Sequence, residues 1–160
     1  MKTVFVEILD DGRYRLTAPF VYPGRDQTFT VPAGFVTDLA SVPRALSALV
    51  PIAGRHDRAA IVHDFLCTAL DGGTPIVDAV DTDGIFRRIL RELGVPLVLR
   101  WLFWTGVRWG ALANPARRRG WLRTAPAVLA ISALVLPFVL PVFVVTGLAL
   151  LIGGAVEAAT

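Results

Sequence analysis

Cysteine is nearly absent from this sequence: Cys67 is the single one, and this excludes a disulfide within the chain. We expect a chain without disulfides to work in a reducing compartment. The first residues, MKTVFVEILDDGRY, lack the long apolar stretch of a secretory signal peptide. We therefore expect the N-terminal part of the chain to remain in the cytoplasm.

Net charge is also small, because 16 basic and 13 acidic residues leave a formal charge of +3. These charges are scattered, so they do not form the basic stripe that proteins binding DNA or RNA carry. The sequence therefore predicts no nucleic-acid partner.

Charge is missing altogether from Pro126 to Val156. A helix over this run would be ~46 Å long, compared with about 30 Å for the hydrocarbon core of a bilayer. Pro137 and Pro141 lie near its middle, so the run predicts one kinked span or a short hairpin of two helices. We favour one span, because each arm of a hairpin would reach only ~22 Å. The remaining alternative is a buried helix of a soluble core.

The segment before this run, ARRRGWLR at 116–123, contains four arginines and Trp121. Positive charge and an interfacial tryptophan at the start of a span predict that this end faces the cytoplasm. The chain then divides into a globular domain at 1–113, a basic connector at 114–125 and a transmembrane segment at 126–157. The lipid bilayer is the expected partner.

The globular part has the pattern of a small sheet followed by helices. Alternating and β-branched residues predict three antiparallel strands. Proline, glycine and capping residues then delimit four helices, the first of them short and capped by Asp38 or Ser41. The predicted strands are 3–9, 13–22 and 27–35, and the later helices are 55–70, 78–94 and 96–112. The predicted fold class is α+β: an N-terminal antiparallel β-meander, a helical core and a C-terminal transmembrane segment.

His63 and Asp64 lie side by side in an otherwise apolar helix, AAIVHDFLCTAL at 59–70. Charged groups are rarely buried unless they are paired. Asp83, on the next antiparallel helix, is a natural partner for His63, and a carboxylate on the imidazole produces a general base. Asp64, about 100° around the helix axis, is an oxygen ligand suited to Ca²⁺. The alternatives are a satisfied core histidine, or a transition-metal site formed by His56, His63 and Cys67.

The strings HDFLC and TDGIF together resemble the HDxxY…DxxF pattern of bacterial phospholipases A2. This resemblance implies that His63 activates a water, that Asp64 holds Ca²⁺ and that Asp83 orients His63. Phospholipid would then be the substrate. The chain departs from the pattern where Cys67 replaces the tyrosine, and it has no calcium loop rich in glycine and cysteine before the helix.

A wider stretch, 31–110, carries VPAGFVTDLASVPR and then AAIVHDFLC. These strings are similar to an uncharacterised domain family common in phages and prophages, which implies a fold and a setting but no chemistry. They direct attention to Asp38, Ser41 and Arg44. Asp38 could add a carboxylate to the metal site, and Arg44 could hold a phosphate or a carboxylate. Alternatively Asp38 and Ser41 cap a helix and Arg44 pairs with Asp38.

Three functional hypotheses follow from the sequence. The first is a membrane-tethered, phage-type hydrolase that uses Ca²⁺ and cleaves phospholipid, with His63 as general base. The second is a non-catalytic phage accessory or lysis-associated membrane protein with a structural His–Asp network. The third is a metal-dependent cell-wall hydrolase. Solvent access separates the first two, because a base needs an open edge whereas a structural network is buried and satisfied.

Overall fold

A computed structural model describes residues 4–23, 27–39 and 56–159 of the chain. These residues form an α+β fold in which short strands precede long helices, as the sequence predicts. The strands are β1 (Val6–Ile8), β2 (Tyr14–Leu16), β3 (Phe20–Pro23), β4 (Thr28–Val31) and β5 (Val36–Thr37), and the helices are α1 (Asp57–Asp71), α2 (Ala79–Glu92), α3 (Leu97–Ala111) and α4 (Trp121–Ala159).

The predicted antiparallel meander is confirmed, but its strands are shorter and more numerous than the sequence suggested. The order in one sheet is β1-β2-β5, and β3 pairs with β4 in a second sheet. Pro19 interrupts the predicted second strand, because proline cannot donate to a strand ladder. Gly34, at a φ of 82°, turns the chain after β4 so that β5 pairs with β2. Thr37 of β5 thereby comes to lie opposite Tyr14.

The hydrophobic core lies between the strands and the first two helices. Each helix contributes one apolar face, and full burial of one such side chain is worth about 1.5–3 kcal/mol. The strands contribute alternate residues to the same core. The buried members include Leu16, Phe20, Phe29 and Val31 from the strands, Ile61, Val62 and Leu66 from α1, and Phe86, Ile89 and Leu90 from α2.

Local signals in the sequence explain where α2 begins and ends. Asp78 Oδ1 accepts hydrogen bonds from the backbone N–H groups of Val80 and Asp81, both at 2.8 Å. Gly94 follows the helix at a φ of 73°, and its N–H donates to the carbonyl of Arg91. The short helix predicted to begin at Asp38 or Ser41 falls largely on 40–55, outside the described residues.

Helix α4 is continuous from Trp121 to Ala159, although it contains Pro126, Pro137 and Pro141. Among the described residues, the window Trp121–Phe138 has a mean hydropathy of 1.6 and is long and apolar enough to cross a membrane. Prolines are tolerated better in membrane helices than in soluble ones.

Helix α3 is fastened to the start of α4 by polar contacts from its last turns. Arg108 Nε donates to Thr124 Oγ1 at 2.9 Å, and Trp121 Nε1 donates to the carbonyl of Arg108 at 2.8 Å. Trp109 Nε1 reaches Ser132 Oγ at 3.0 Å. The globular domain therefore lies directly against the first three turns of the apolar helix.

We predict that Gly120→Ala destabilises the junction between the domain and α4. Gly120 has a φ of 76°, and a Cβ atom there would lie 2.7 Å from Val80 Cγ2. The left-handed conformation alone costs an L-residue about 1–2 kcal/mol. Urea unfolding of the full chain in detergent, followed by tryptophan fluorescence, measures the loss.

Gly110→Ala is the matched control, because Gly110 lies inside α3 with open space around its Cα. Alanine is favoured over glycine inside a helix by about 1 kcal/mol, so this variant should be at least as stable as the parent chain. Equal stability of the two variants would show that Gly120 is not constrained.

Candidate functional site

Asp83 is the centre of the site, and its carboxylate is completely buried, with 0% of the side chain exposed. Its Oδ1 lies 2.7 Å from His63 Nε2 and 3.1 Å from Arg117 Nη2. Its Oδ2 accepts a hydrogen bond from Arg108 Nη1 at 2.9 Å. The three partners come from α1, from the connector after α3 and from α3 itself, so one carboxylate joins three segments.

The packing of α1 against α2 brings His63 and Asp83 together. The Phe86 ring lies beside the pair, with its centroid 4.9 Å from that of His63. The sequence interpretation paired these two residues but missed Arg108 and Arg117. The signal was present for Arg108, because a charged residue inside the apolar helix 96–112 needs a buried partner just as His63 does.

Asp83 carries its negative charge within this cluster. Burial alone would raise the pKa of the Asp83 carboxyl, but His63, Arg117 and Arg108 outweigh burial and lower the pKa. Arg108 is itself 0% exposed, and its Nη2 has no hydrogen-bond partner among the described residues. The cluster is therefore rich in positive charge, and Asp83 is the anion that makes its burial tolerable.

His63 has little contact with solvent, since 7% of its side chain is exposed. Its Nδ1 lies 3.9 Å from Asp64 Oδ1 and 3.8 Å from Cys67 Sγ, and the first distance is too long for a hydrogen bond. Burial acts to lower the pKa of His63, but the carboxylates of Asp64 and Asp83 outweigh it and hold the pKa well above the usual value. A protonated imidazole cannot accept a proton, so this environment opposes general-base chemistry near neutral pH.

Asp64 lies at the border of the site, with 26% of its side chain exposed. Thr37 Oγ1 donates a hydrogen bond to Asp64 Oδ2 and accepts one from the N–H of Leu39 at 3.1 Å. Leu39 has a φ of 54°, which is uncommon for a residue with a branched side chain. Thr37 therefore ties β5 to α1 and directs the chain as it leaves the sheet.

The remaining predicted residues lie apart from the buried cluster or beyond the described chain. Asp38 is exposed and directly follows Thr37. Ser41 and Arg44 belong to 40–55 and lie outside the described residues. His56 packs its ring 5.1 Å from that of Phe103.

The donors for a metal ion are sparse in the part of the chain that the structure describes. No three His, Cys, Asp or Glu side chains there are grouped so that they could hold a metal ion. Ca²⁺ takes about six to eight oxygen ligands, and one oxygen of Asp64 already accepts from Thr37. The described residues therefore do not by themselves fit a calcium ion or a transition metal.

We predict that Asp83→Asn lowers the free energy of unfolding by about 3–5 kcal/mol, because it leaves two arginines without their buried anion. Urea unfolding of the full chain in detergent measures the change. Asp81→Asn is the control, since Asp81 is an exposed acid in the first turn of the same helix. Surface changes of this kind usually stay within about 0.5 kcal/mol. Similar losses in both variants would contradict a buried network.

The raised pKa of His63 predicts that stability falls on the alkaline side. The folded chain holds the His63 proton more tightly than the unfolded chain does, so this contribution is complete below the unfolded pKa. It is lost as the pH rises through the folded pKa, by about 1.4 kcal/mol for each unit of difference. Unfolding measured from about pH 6 to about pH 9 should show the fall, and His63→Gln should abolish it. A fall that persists unchanged in His63→Gln would have another origin.

Comparison with known proteins gives a family but no activity. Neither the curated proteins nor the solved structures contain a match to this chain. A family model described as a protein of unknown function, DUF1353, matches residues 14–107. The match includes β2 to β5, both members of the His63–Asp83 pair and most of α3. Since it covers more than half of the chain, the chain belongs to the DUF1353 family.

Proposed function

We propose that this chain is a non-catalytic accessory protein of a membrane, in which buried charge locks the DUF1353 domain onto the membrane helix α4. The observation that carries the proposal is the environment of Asp83, which is fully buried among three cationic side chains. Both oxygens of the Asp83 carboxylate are engaged by side chains of the same chain, as expected for a structural network.

The network extends from the domain to α4. Arg108 uses Nη1 to hold Asp83 and Nε to hold Thr124, so a single guanidinium bridges α2 and α4. Arg117 Nη2 contacts both Asp83 and the carbonyl of Val107 at 3.3 Å, which folds the connector against α3. These contacts therefore favour one orientation of the domain relative to α4, instead of attachment through a flexible linker.

The surroundings of His63 support a structural role over a catalytic one. Its Nε2 is engaged by Asp83, and little of the ring is exposed. Two surface clefts among the described residues lie away from His63: one contains Asp71 and Asn114, and the other contains Asp81 and Arg88.

The resemblance of TDLASVPR and the His-Asp helix to a family common in phages and prophages supports a viral setting, including a role in lysis. The basic connector and Trp121 support a cytoplasmic location for the domain, by the distribution of positive charge around membrane spans. Under this proposal the globular domain lies in the cytoplasm, at the inner face of a membrane, in a fixed orientation relative to α4.

The second candidate is the Ca²⁺-dependent phospholipid hydrolase. One observation favours it: with Nε2 on Asp83, the Nδ1 edge of His63 faces Asp64 without a hydrogen bond at normal distance. In that arrangement Asp83 orients the imidazole, and Asp64 and Asp38 are the carboxylates that this candidate assigns to the ion.

An assay on proteoliposomes separates the two candidates. The full chain is reconstituted into phospholipid vesicles, and fatty-acid release is measured with Ca²⁺ and with EDTA. The proposal predicts no release above protein-free vesicles for the parent chain, His63→Asn or His56→Asn. Ca²⁺-dependent release that disappears in His63→Asn and persists in His56→Asn would overturn the proposal and establish the hydrolase. Extraction of the parent chain by alkaline carbonate would overturn the membrane anchoring.

The same vesicles test the lock between domain and helix. Trypsin can cut the connector at Arg117, Arg118 and Arg119. Asp83→Asn should speed this cut by about tenfold or more, since each ~1.4 kcal/mol of lost local stability gives one factor of ten. Asp81→Asn should be cut at the parent rate. Equal rates for Asp83→Asn and the parent chain would mean that the network does not hold the connector.

A further inference from the structure

Three arginines lie close together where α2 and α3 pack against each other: Arg87, Arg91 and Arg100. Arg87 and Arg91 are four residues apart on one face of α2, and burial together with the positive charges of Arg91 and Arg100 lowers the pKa of Arg87. The Nε atoms of Arg87 and Arg100 are buried without a hydrogen-bond partner among the described residues. Buried donors of this kind normally have a partner.

Two tryptophans hold the cluster in shape. The Arg87 guanidinium lies 4.2 Å from the ring centroid of Trp101 and 5.8 Å from that of Trp104. The two indoles meet edge to face, with centroids 5.3 Å apart. Stacking uses the flat face of a guanidinium and leaves its N–H edge for an oxyanion such as phosphate.

Apolar side chains project beside these charges. Leu97 and Val98 begin α3 and are 61% and 67% exposed. Exposed aliphatic residues next to arginine and tryptophan are typical of surfaces that lie in the interface of a bilayer. We name this set the arginine–tryptophan surface: Arg87, Arg91, Leu97, Val98, Arg100, Trp101 and Trp104.

Helix α3, which carries part of this surface, packs against the start of α4 through its last turns. Trp109 contacts Ser132, within the apolar window Trp121–Phe138. The domain that carries the surface therefore lies next to the part of the chain from which α4 would enter a membrane.

We propose that the arginine–tryptophan surface binds anionic phospholipid headgroups at the face of the membrane that α4 enters. The arginines hold the lipid phosphates, and Leu97 and Val98 enter the acyl boundary. Anionic lipid is the partner, because the negative surface potential of such a membrane attracts juxtamembrane basic groups. This inference rests on the membrane anchoring in the proposed function and adds a lipid class and a site.

A fluorescent probe at Val98 tests the inference on the full chain in nanodiscs. Val98→Cys accepts an environment-sensitive label, while Cys67 is buried and poorly accessible. One set of discs contains phosphatidylcholine alone, and the other contains about one third phosphatidylglycerol. Quenching by a nitroxide lipid should rise about twofold in the anionic discs. A probe at Ile8→Cys, on exposed β1, should show no dependence on lipid.

Charge variants identify the residues responsible. Arg87→Gln with Arg91→Gln and Arg100→Gln should abolish the effect of anionic lipid. Arg91→Glu alone should reduce the effect of anionic lipid. Arg91 is exposed, and its replacement leaves the stacking of Arg87 on Trp101 intact, so this variant tests the inference even if the triple variant misfolds. Arg13→Gln with Arg15→Gln is the control, because these exposed arginines pair with Asp11 and Glu7.

The outcomes separate this inference from the proposed function. Equal quenching in both lipid compositions, with the chain present in the discs, overturns the lipid site and leaves the anchoring intact. A chain that never enters the discs overturns the anchoring and the lipid site together. Protection of Val98 that follows protein concentration instead of lipid charge overturns the inference in favour of a second copy of the chain.

Discussion

The fold depends on the buried negative charge of Asp83. A lone carboxylate in an apolar interior would be expensive to keep ionised, and two buried arginines would be worse still. The negative charge of Asp83 and the positive charges of the arginines compensate one another when they are buried together. These side chains come into contact because α1, α2, α3 and the connector adopt their observed arrangement. The network therefore ties these segments together in the observed arrangement through one carboxylate. Buried ion pairs specify a single packing in some proteins.

Much of this arrangement could be predicted from the sequence, because its signals are local. Asp78 and Gly94 delimit α2, and the uncharged run after Pro126 marks α4. The pairing of His63 with Asp83 was accessible because the two helices are adjacent in the chain. The contact of Arg117 with Asp83 could not be predicted, because Arg117 lies in a connector, and hydrophobic periodicity does not indicate the path of a connector. The split of the sheet at Pro19 and Gly34 was also missed, because strand alternation continues across both breaks.

The same histidine–carboxylate geometry can serve a catalyst or a scaffold, and the surrounding charges distinguish the two. In a hydrolytic dyad the carboxylate is free to stabilise a positive imidazole as it forms. Here Arg108 and Arg117 already draw on the Asp83 charge, and Cys67 Sγ lies against the His63 ring, 3.6 Å from Nε2 and 3.8 Å from Nδ1. His63 thus has the carboxylate neighbour that a dyad requires, but the surrounding charges differ from those of a dyad. Sequence strings report which residues are neighbours and say little about that balance.

Under the proposed membrane anchoring, the pairing of Arg117 with Asp83 has a consequence for the charge of the connector. Before the domain packs, Arg117, Arg118, Arg119 and Arg123 would all count toward the positive charge retained on one side. After folding, Arg117 is 15% exposed and neutralised from within, while Arg118 and Arg119 remain at the surface. Under the proposed anchoring, the unfolded connector would therefore present more positive charge than the folded one. Inverting α4 after folding would then require breaking the contacts of Arg117 and Arg108 with Asp83.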